Sequence, residues 1–197
     1  MNANQTNMDR RNFLGAAGLF TAGLLLNPKN MFSQAKAAGP IEIITQAAAT
    51  ARINVTRLRD NIYMVEGSGG NIAVLNGPEG KLLVDAGINV SRSHMQAALN
   101  TISNKPIKLL INSHWHFDHT SGNDWLHKAG ATIISQDITR DHLSKNIYQA
   151  DWAYTFKALP KAGIPTVIYK SEYTKQFNGE KIIVNTYLCI YFQCYQT

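Results

Sequence analysis

A run of five nearly all-apolar residues at 107–111 delivers the chain straight into Ser113-His114-Trp115-His116-Phe117-Asp118-His119. A run that short and that apolar predicts a strand covered on both faces, as in a parallel sheet with helices packed against it. In α/β sheets, sites form in the loops beyond the carboxyl ends of strands. This loop carries three of the six histidines of the chain, and one aspartate, within residues 114–119.

The flanking pattern agrees with a mixed sheet. Residues 39–51 read as a small-residue lead-in. Residues 53–57 and 62–66 alternate apolar and polar side chains around Arg59-Asp60-Asn61, the pattern of half-buried strands. After a break at 67–70, residues 71–75 and 81–85 form a second strand pair, so the opening is an antiparallel meander. The period then changes. Met95, Ala98, Leu99 and Ile102 fall on one helical face, with Ser91 or Ser93 as the N-cap. Short helices are predicted at 123–128 and 137–143 and a strand at 131–135. Residues 148–170 hold aromatics, Pro160 and Pro165 but no clear period. Residues 173–177 and 181–187 read as a hairpin around Asn178-Gly179. Strands first, then alternating helix and strand, predict helices packed on a mixed sheet.

The chemistry of the loop is that of a metal site. Neutral imidazoles and a carboxylate are the ligands that Zn²⁺ and similar ions accept. In an extended segment, residues i and i+2 point the same way, so His114 and His116 can grip one ion together. Asp118 and His119 follow where the chain turns and can address a second. His94, His127 and His142 are expected to have other roles. Trp115 and Phe117 either line a substrate pocket or pack beneath the loop. With only Cys189 and Cys194 in the chain, a cysteine zinc ribbon and a disulfide scaffold are excluded.

His-x-His-x-Asp-His after an apolar strand resembles the signature of the metallo-β-lactamase fold superfamily. Leu82-Leu83-Val84-Asp85-Ala86-Gly87 resembles its earlier strand ending in aspartate and glycine, and Asp118-His119-Thr120-Ser121-Gly122-Asn123 its turn into the next helix. The likeness covers about residues 53–187. It implies an α/β fold, the αββα sandwich, here with the N-terminal half and part of the second. It also implies one or two zinc ions, or other divalent metals, with His114 and His116 on the first and Asp118 and His119 on the second. The implied reaction is hydrolysis of an ester, thioester, lactone, amide or phosphoester by metal-activated water, with Asp118 orienting the nucleophile or shuttling its proton. Asp85 is either a hydrogen-bond partner of the ligand loop or a plain turn residue. His119 disfavours lactamase subclasses with arginine at that position, and His116 disfavours the flavodiiron relatives, leaving thioester hydrolases, lactonases and the remaining lactamases. A small-molecule substrate follows.

Residues 1–38 read as an export signal. Arg10 and Arg11 precede an apolar stretch at 13–26, and Ala35-Lys36-Ala37 supplies small residues for cleavage. The paired arginines resemble the twin-arginine signal, although Asp9 stands where serine or threonine is usual. A periplasmic product with no membrane anchor after cleavage is expected. The formal charge of +6 falls to +3 once Arg10, Arg11, Lys29, Lys36 and Asp9 leave, so no nucleic-acid partner is expected.

The chain departs from the resembled pattern after residue 187. The family takes a further histidine after a later hairpin, then an aspartate and a last histidine, whereas here no histidine follows His142. Residues 188–197 hold both cysteines and three aromatics. The expected domains are therefore 1–38, the leader; 39–187, an incomplete metallo-β-lactamase-like domain; and 188–197, an atypical tail, either from a truncation or frame change or a native tail in which Cys189 and Cys194 pair or bind metal. Two ligands for the first ion are one short of a catalytic zinc site. The alternative to a hydrolase is a non-catalytic metal-binding fragment or scaffold.

Overall fold

The computed structural model describes residues Ala38–Thr186. The expected leader, apart from Ala38, and the expected tail with Cys189 and Cys194 lie outside the described residues.

Residues 39–51 are not a lead-in. They form helix α1 (Pro40–Thr50), started by Pro40 in the first turn and anchored by buried Ile41 and Ala48. Proline is tolerated there because its missing N–H has no helical partner to lose, and the run of alanines favours helix. Four strands follow as the expected meander: β1 (Asn54–Arg59), β2 (Ile62–Glu66), β3 (Ile72–Gly77) and β4 (Gly80–Val84), each antiparallel to the next. Helix α2 (Arg92–Ile102) buries Met95, Ala98 and Leu99 as the periodicity predicts. Ser91 occupies its N-cap position without capping it; the hydroxyl donates instead to the Ile88 carbonyl at 2.8 Å.

Strand β5 (Ile107–Ile111) lies between β4 and β6 (Thr132–Gln136), parallel to both. Between β5 and β6 run a single helical turn, α3 (Phe117–Thr120), and helix α4 (Asn123–Lys128). Helix α5 (Asp137–Leu143) follows β6, its first turn capped by the Gln136 side chain, which accepts from the Ile138 N–H. The segment without a clear period resolves into a small hairpin, β7 (Ile147–Gln149) with β8 (Tyr154–Phe156), and then β9 (Val167–Tyr169), which joins β6 in parallel. Three-residue strands are too short to show a period of two. The main sheet thus has seven strands in the order β1-β2-β3-β4-β5-β6-β9.

Each face of that sheet carries its own core. One packs Val74, Leu83, Leu110 and Ile133 against Met95 and Leu99 of α2 and Trp125 and Leu126 of α4. The other packs Leu82, Leu109, Ile111 and Ile134 against Phe177, with Tyr173, Ile182 and Val184 partly buried beside it. These last come from the hairpin β10 (Glu172–Phe177) and β11 (Glu180–Asn185), a second layer of two strands. The mixed α/β class expected from the resemblance is the one the chain adopts. Lys108 alone on β5 is exposed, as the apolar run required. Lys81 on β4 is buried, and its ammonium donates to the Ser103 carbonyl at 2.7 Å at the carboxyl end of α2.

The second layer is tied to the first by the predicted turn. Asn178 (φ 55°) and Gly179 (φ 79°) both take the left-handed conformation that a two-residue hairpin turn needs. The Asn178 amide accepts from the Glu79 N–H and donates to the Gly80 carbonyl, both at 2.9 Å. Gly77 has no side chain because a Cβ there would strike Asn178. Asn178→Ala loses both bonds and places a Cβ residue less tolerant of positive φ, so unfolding stability is expected to fall by about 2 kcal/mol. Asn178→Gly, which keeps the conformation, should lose less. Urea midpoints of the two variants check this.

Candidate metal centre

Antiparallel pairing on either side of β3 makes β2 and β4 run in the same sense, and β5 runs parallel to β4. The loops after β2, β4 and β5 therefore meet at one edge of the sheet. Backbone bonds stitch them together. The Ala86 N–H donates to the His119 carbonyl at 2.8 Å, the Gly122 N–H to the Gly87 carbonyl at 3.0 Å, and the Gly70 N–H to the Asp118 carbonyl at 3.3 Å. Below, Asn112 and Asn123 are fully buried and exchange reciprocal amide bonds at 3.0 and 2.9 Å. That pair fixes the residue before the loop to the helix after it.

The four predicted residues are brought together. The His114 ring centroid lies 4.6 Å from that of His116 and 4.2 Å from that of His119. Asp118, in the turn α3, places Oδ2 3.4 Å from His119 Nε2. All four are partly buried. Among the described residues, no group of three or more His, Cys, Asp or Glu side chains is arranged to hold a metal ion as the rings now stand. His119 is turned between two carboxylates, with Nδ1 2.7 Å from Asp85 Oδ2. The donor chemistry nevertheless suits a divalent ion: three imidazoles and a carboxylate, at one strand end.

Asp85 is a partner of the ligand loop, not a plain turn residue. It is buried at 4% exposure, in left-handed backbone with φ 70°. Its Oδ1 accepts from the Ser113 N–H at 2.8 Å, and its Oδ2 from the Ser113 hydroxyl at 2.7 Å, besides the contact with His119.

The electrostatics follow from burial and these partners. Burial, then repulsion from His119 and His116, pushes the His114 pKa down to about 4. Burial also lowers that of His116. For His119, burial disfavours the charged ring, but the hydrogen bonds its ring donates to Asp118 and Asp85, and the charges of those carboxylates, outweigh it and raise the pKa to about 9. Asp118 is opposed by burial yet ends below the ordinary carboxylate range, held there by its hydrogen bond and attraction to His119.

Trp115 and Phe117 each pack against a neighbouring ring and also line a cavity. Trp115 is buried and stacks on His142 with centroids 5.1 Å apart. Phe117 is half-buried and stacks on Phe156 at 5.8 Å. Both also line a cavity of about 320 Å³ reaching α1. His94 is exposed, and His127 Nδ1 lies 3.1 Å from the Ala131 carbonyl. The sequence reading missed the approach of the Gly69-Gly70 loop. A Cβ on Gly70 would lie 2.6 Å from His119 Nε2. The glycine cluster was visible as a break, but the ring it sits against is 49 residues away.

Fold and loop together define a mixed α/β protein with a histidine and aspartate cluster beyond the carboxyl end of a central parallel strand. The model of the metallo-beta-lactamase superfamily matches residues 65–181, more than half of the chain, and the chain belongs to that superfamily. Among solved structures it is similar to the subclass B3 metallo-beta-lactamase of Bradyrhizobium japonicum, at 23% identity and a TM-score of 0.58 over 70% of this chain and 53% of that one. It is similar also to the native metallo-beta-lactamase of Legionella gormanii, at 17% identity and a TM-score of 0.56 over 64% and 50%. A Cronobacter sakazakii metallo-beta-lactamase gives 18% and 0.56 over 65% and 52%. The chain spans about half the length of each, and at these identities the likeness is one of fold.

Proposed function

We propose that the protein is a metal-dependent hydrolase of small molecules. The observation that carries this is the convergence of His114, His116, His119 and Asp118 at the end of β5 in a chain of the metallo-beta-lactamase superfamily. His114 and His116 would hold one ion, and Asp118 and His119 a second, with zinc the metal that this donor set favours. The chemistry such an ion supplies when bound is Lewis acidity and an acidified water. The residues of the chain do the rest. Asp118, partly exposed at 30% of its side chain, can accept a hydrogen bond from an attacking water and aim it. Asp85 and Ser113 hold the ligand loop. Phe117, Trp152 and Phe156 form an apolar wall beside His116 against which an apolar group of an ester, thioester, lactone or amide would pack.

Metal content of purified protein tests the ligand assignment. His116→Ala removes one imidazole of the i, i+2 pair and should lower bound zinc at least tenfold, whereas His94→Ala should leave it unchanged. Equal zinc in the two variants would show that the cluster is not the site. Zinc bound without turnover on an ester, thioester and lactone panel would instead favour the non-catalytic metal binder.

A further inference from the structure

We infer that Ser113 is a positioning residue that sets the ring form of His114, so that its Nε2 is the nitrogen free for a ligand. The inference rests on the reading of His114 as a metal ligand and adds a residue to it. Ser113 Oγ lies 2.7 Å from Asp85 Oδ2 and 3.0 Å from His114 Nδ1. A hydroxyl has one hydrogen, and a carboxylate accepts without donating. The Ser113 hydrogen therefore goes to Asp85, and the only bond left between Ser113 and His114 is one in which the ring donates. Nδ1 of His114 then carries the hydrogen, and in a neutral imidazole the lone pair is on Nε2.

The same carboxylate oxygen also faces His119 Nδ1 at 2.7 Å. Asp85 thus orients two rings, one directly and one through the serine hydroxyl. Partners of this kind fix ring orientation in metal sites. Ser113 is exposed as a residue, which leaves room for the extra methyl of threonine. Its backbone N–H bond to Asp85 Oδ1 at 2.8 Å survives any side-chain change, so the loop keeps its anchor when the hydroxyl is removed.

The experiment compares full-length wild type, Ser113→Ala and Ser113→Thr. Nitrogen NMR of the imidazoles, in metal-free protein, reads which ring nitrogen of His114 carries the hydrogen. Competition with a chromophoric chelator reads zinc affinity, and a urea midpoint reports folding. The expected result is an Nδ1–H ring in wild type, a mixture of ring forms in the alanine variant with zinc affinity down about 10- to 100-fold, and restoration of both by threonine at a near-constant midpoint. A wild-type ring protonated on Nε2, or an alanine variant with unchanged ring form, overturns the inference, as does an affinity loss that threonine fails to rescue. Wild type that binds no zinc would sink the metal reading instead, and the ring-form measurement would still decide the role of Ser113.

Discussion

Asp85→Ala is expected to be the most damaging single substitution at the site, lowering unfolding stability by about 3–5 kcal/mol and abolishing measurable metal binding. The Asp85 side chain is 6% exposed and that of the His119 it faces 20%. Removing the carboxylate strands three donors at once: the Ser113 N–H, the Ser113 hydroxyl and His119 Nδ1. Each bond to a charged group contributes about 1.5–3 kcal/mol, and an orphaned partner keeps its desolvation cost. The backbone at φ 70° adds to the loss, since alanine tolerates it less well than aspartate. Asp85→Asn keeps the shape and the backbone preference, but its NH2 faces a donor where a carboxylate oxygen accepted, so it should recover only part of the stability while losing affinity for metal. Urea unfolding at constant m-value, with zinc content measured alongside, checks both. A midpoint unchanged in the alanine variant would mean that the loop is held by other contacts.

For the hydrolase proposed above, Gly70→Ala is expected to cost about 100-fold in rate or more, with a smaller effect on folding. The backbone of Gly70 is not left-handed, so alanine brings no torsional strain there. What it brings is a methyl 2.6 Å from His119 Nε2. The ring cannot slide away freely, because Nδ1 is held by Asp85 and the His119 carbonyl by the Ala86 N–H. Overpacking of this kind costs about 1–3 kcal/mol when the surroundings give way. Either the ring or the Ser68-Gly69-Gly70 loop must move, and either displaces one side of the cluster. Rates on a lactone or ester panel, together with the zinc content of the variant, test this. Wild-type values in both would show that the loop yields without disturbing His119.

These two residues also mark where sequence reading reaches and where it stops. Asp85 was open to two roles because Asp-Ala-Gly is equally a turn and a site. The choice fell to β4 and β5 being adjacent and parallel, which sets the residue after Val84 beside the residues after Ile111. Gly70 carried no signal for its neighbour at all. Helix α1 was missed because small residues read as a linker, whereas burial of Ile41 and Ala48 makes them a helix face. The strands β7, β8 and β9 were missed because three residues hold too little pattern to reveal pairing.

The sequence by itself determined the local elements whose rules are local. Period sets α2, an apolar run sets β5, Asn178-Gly179 sets a hairpin, and donor type and spacing set the loop from His114 to His119 as the candidate site. Tertiary structure alone decided what depends on distant partners. It gave the strand order that places β9 on β6, the reciprocal pair of Asn112 and Asn123, and the seat of Gly70 against His119. It also gave the single carboxylate of Asp85 that reaches both His119 and, through Ser113, His114. Side chains 28 and 34 residues apart meet only once two parallel strands have been laid side by side. No local propensity encodes that meeting, because its energy is that of packing and hydrogen bonding across the sheet.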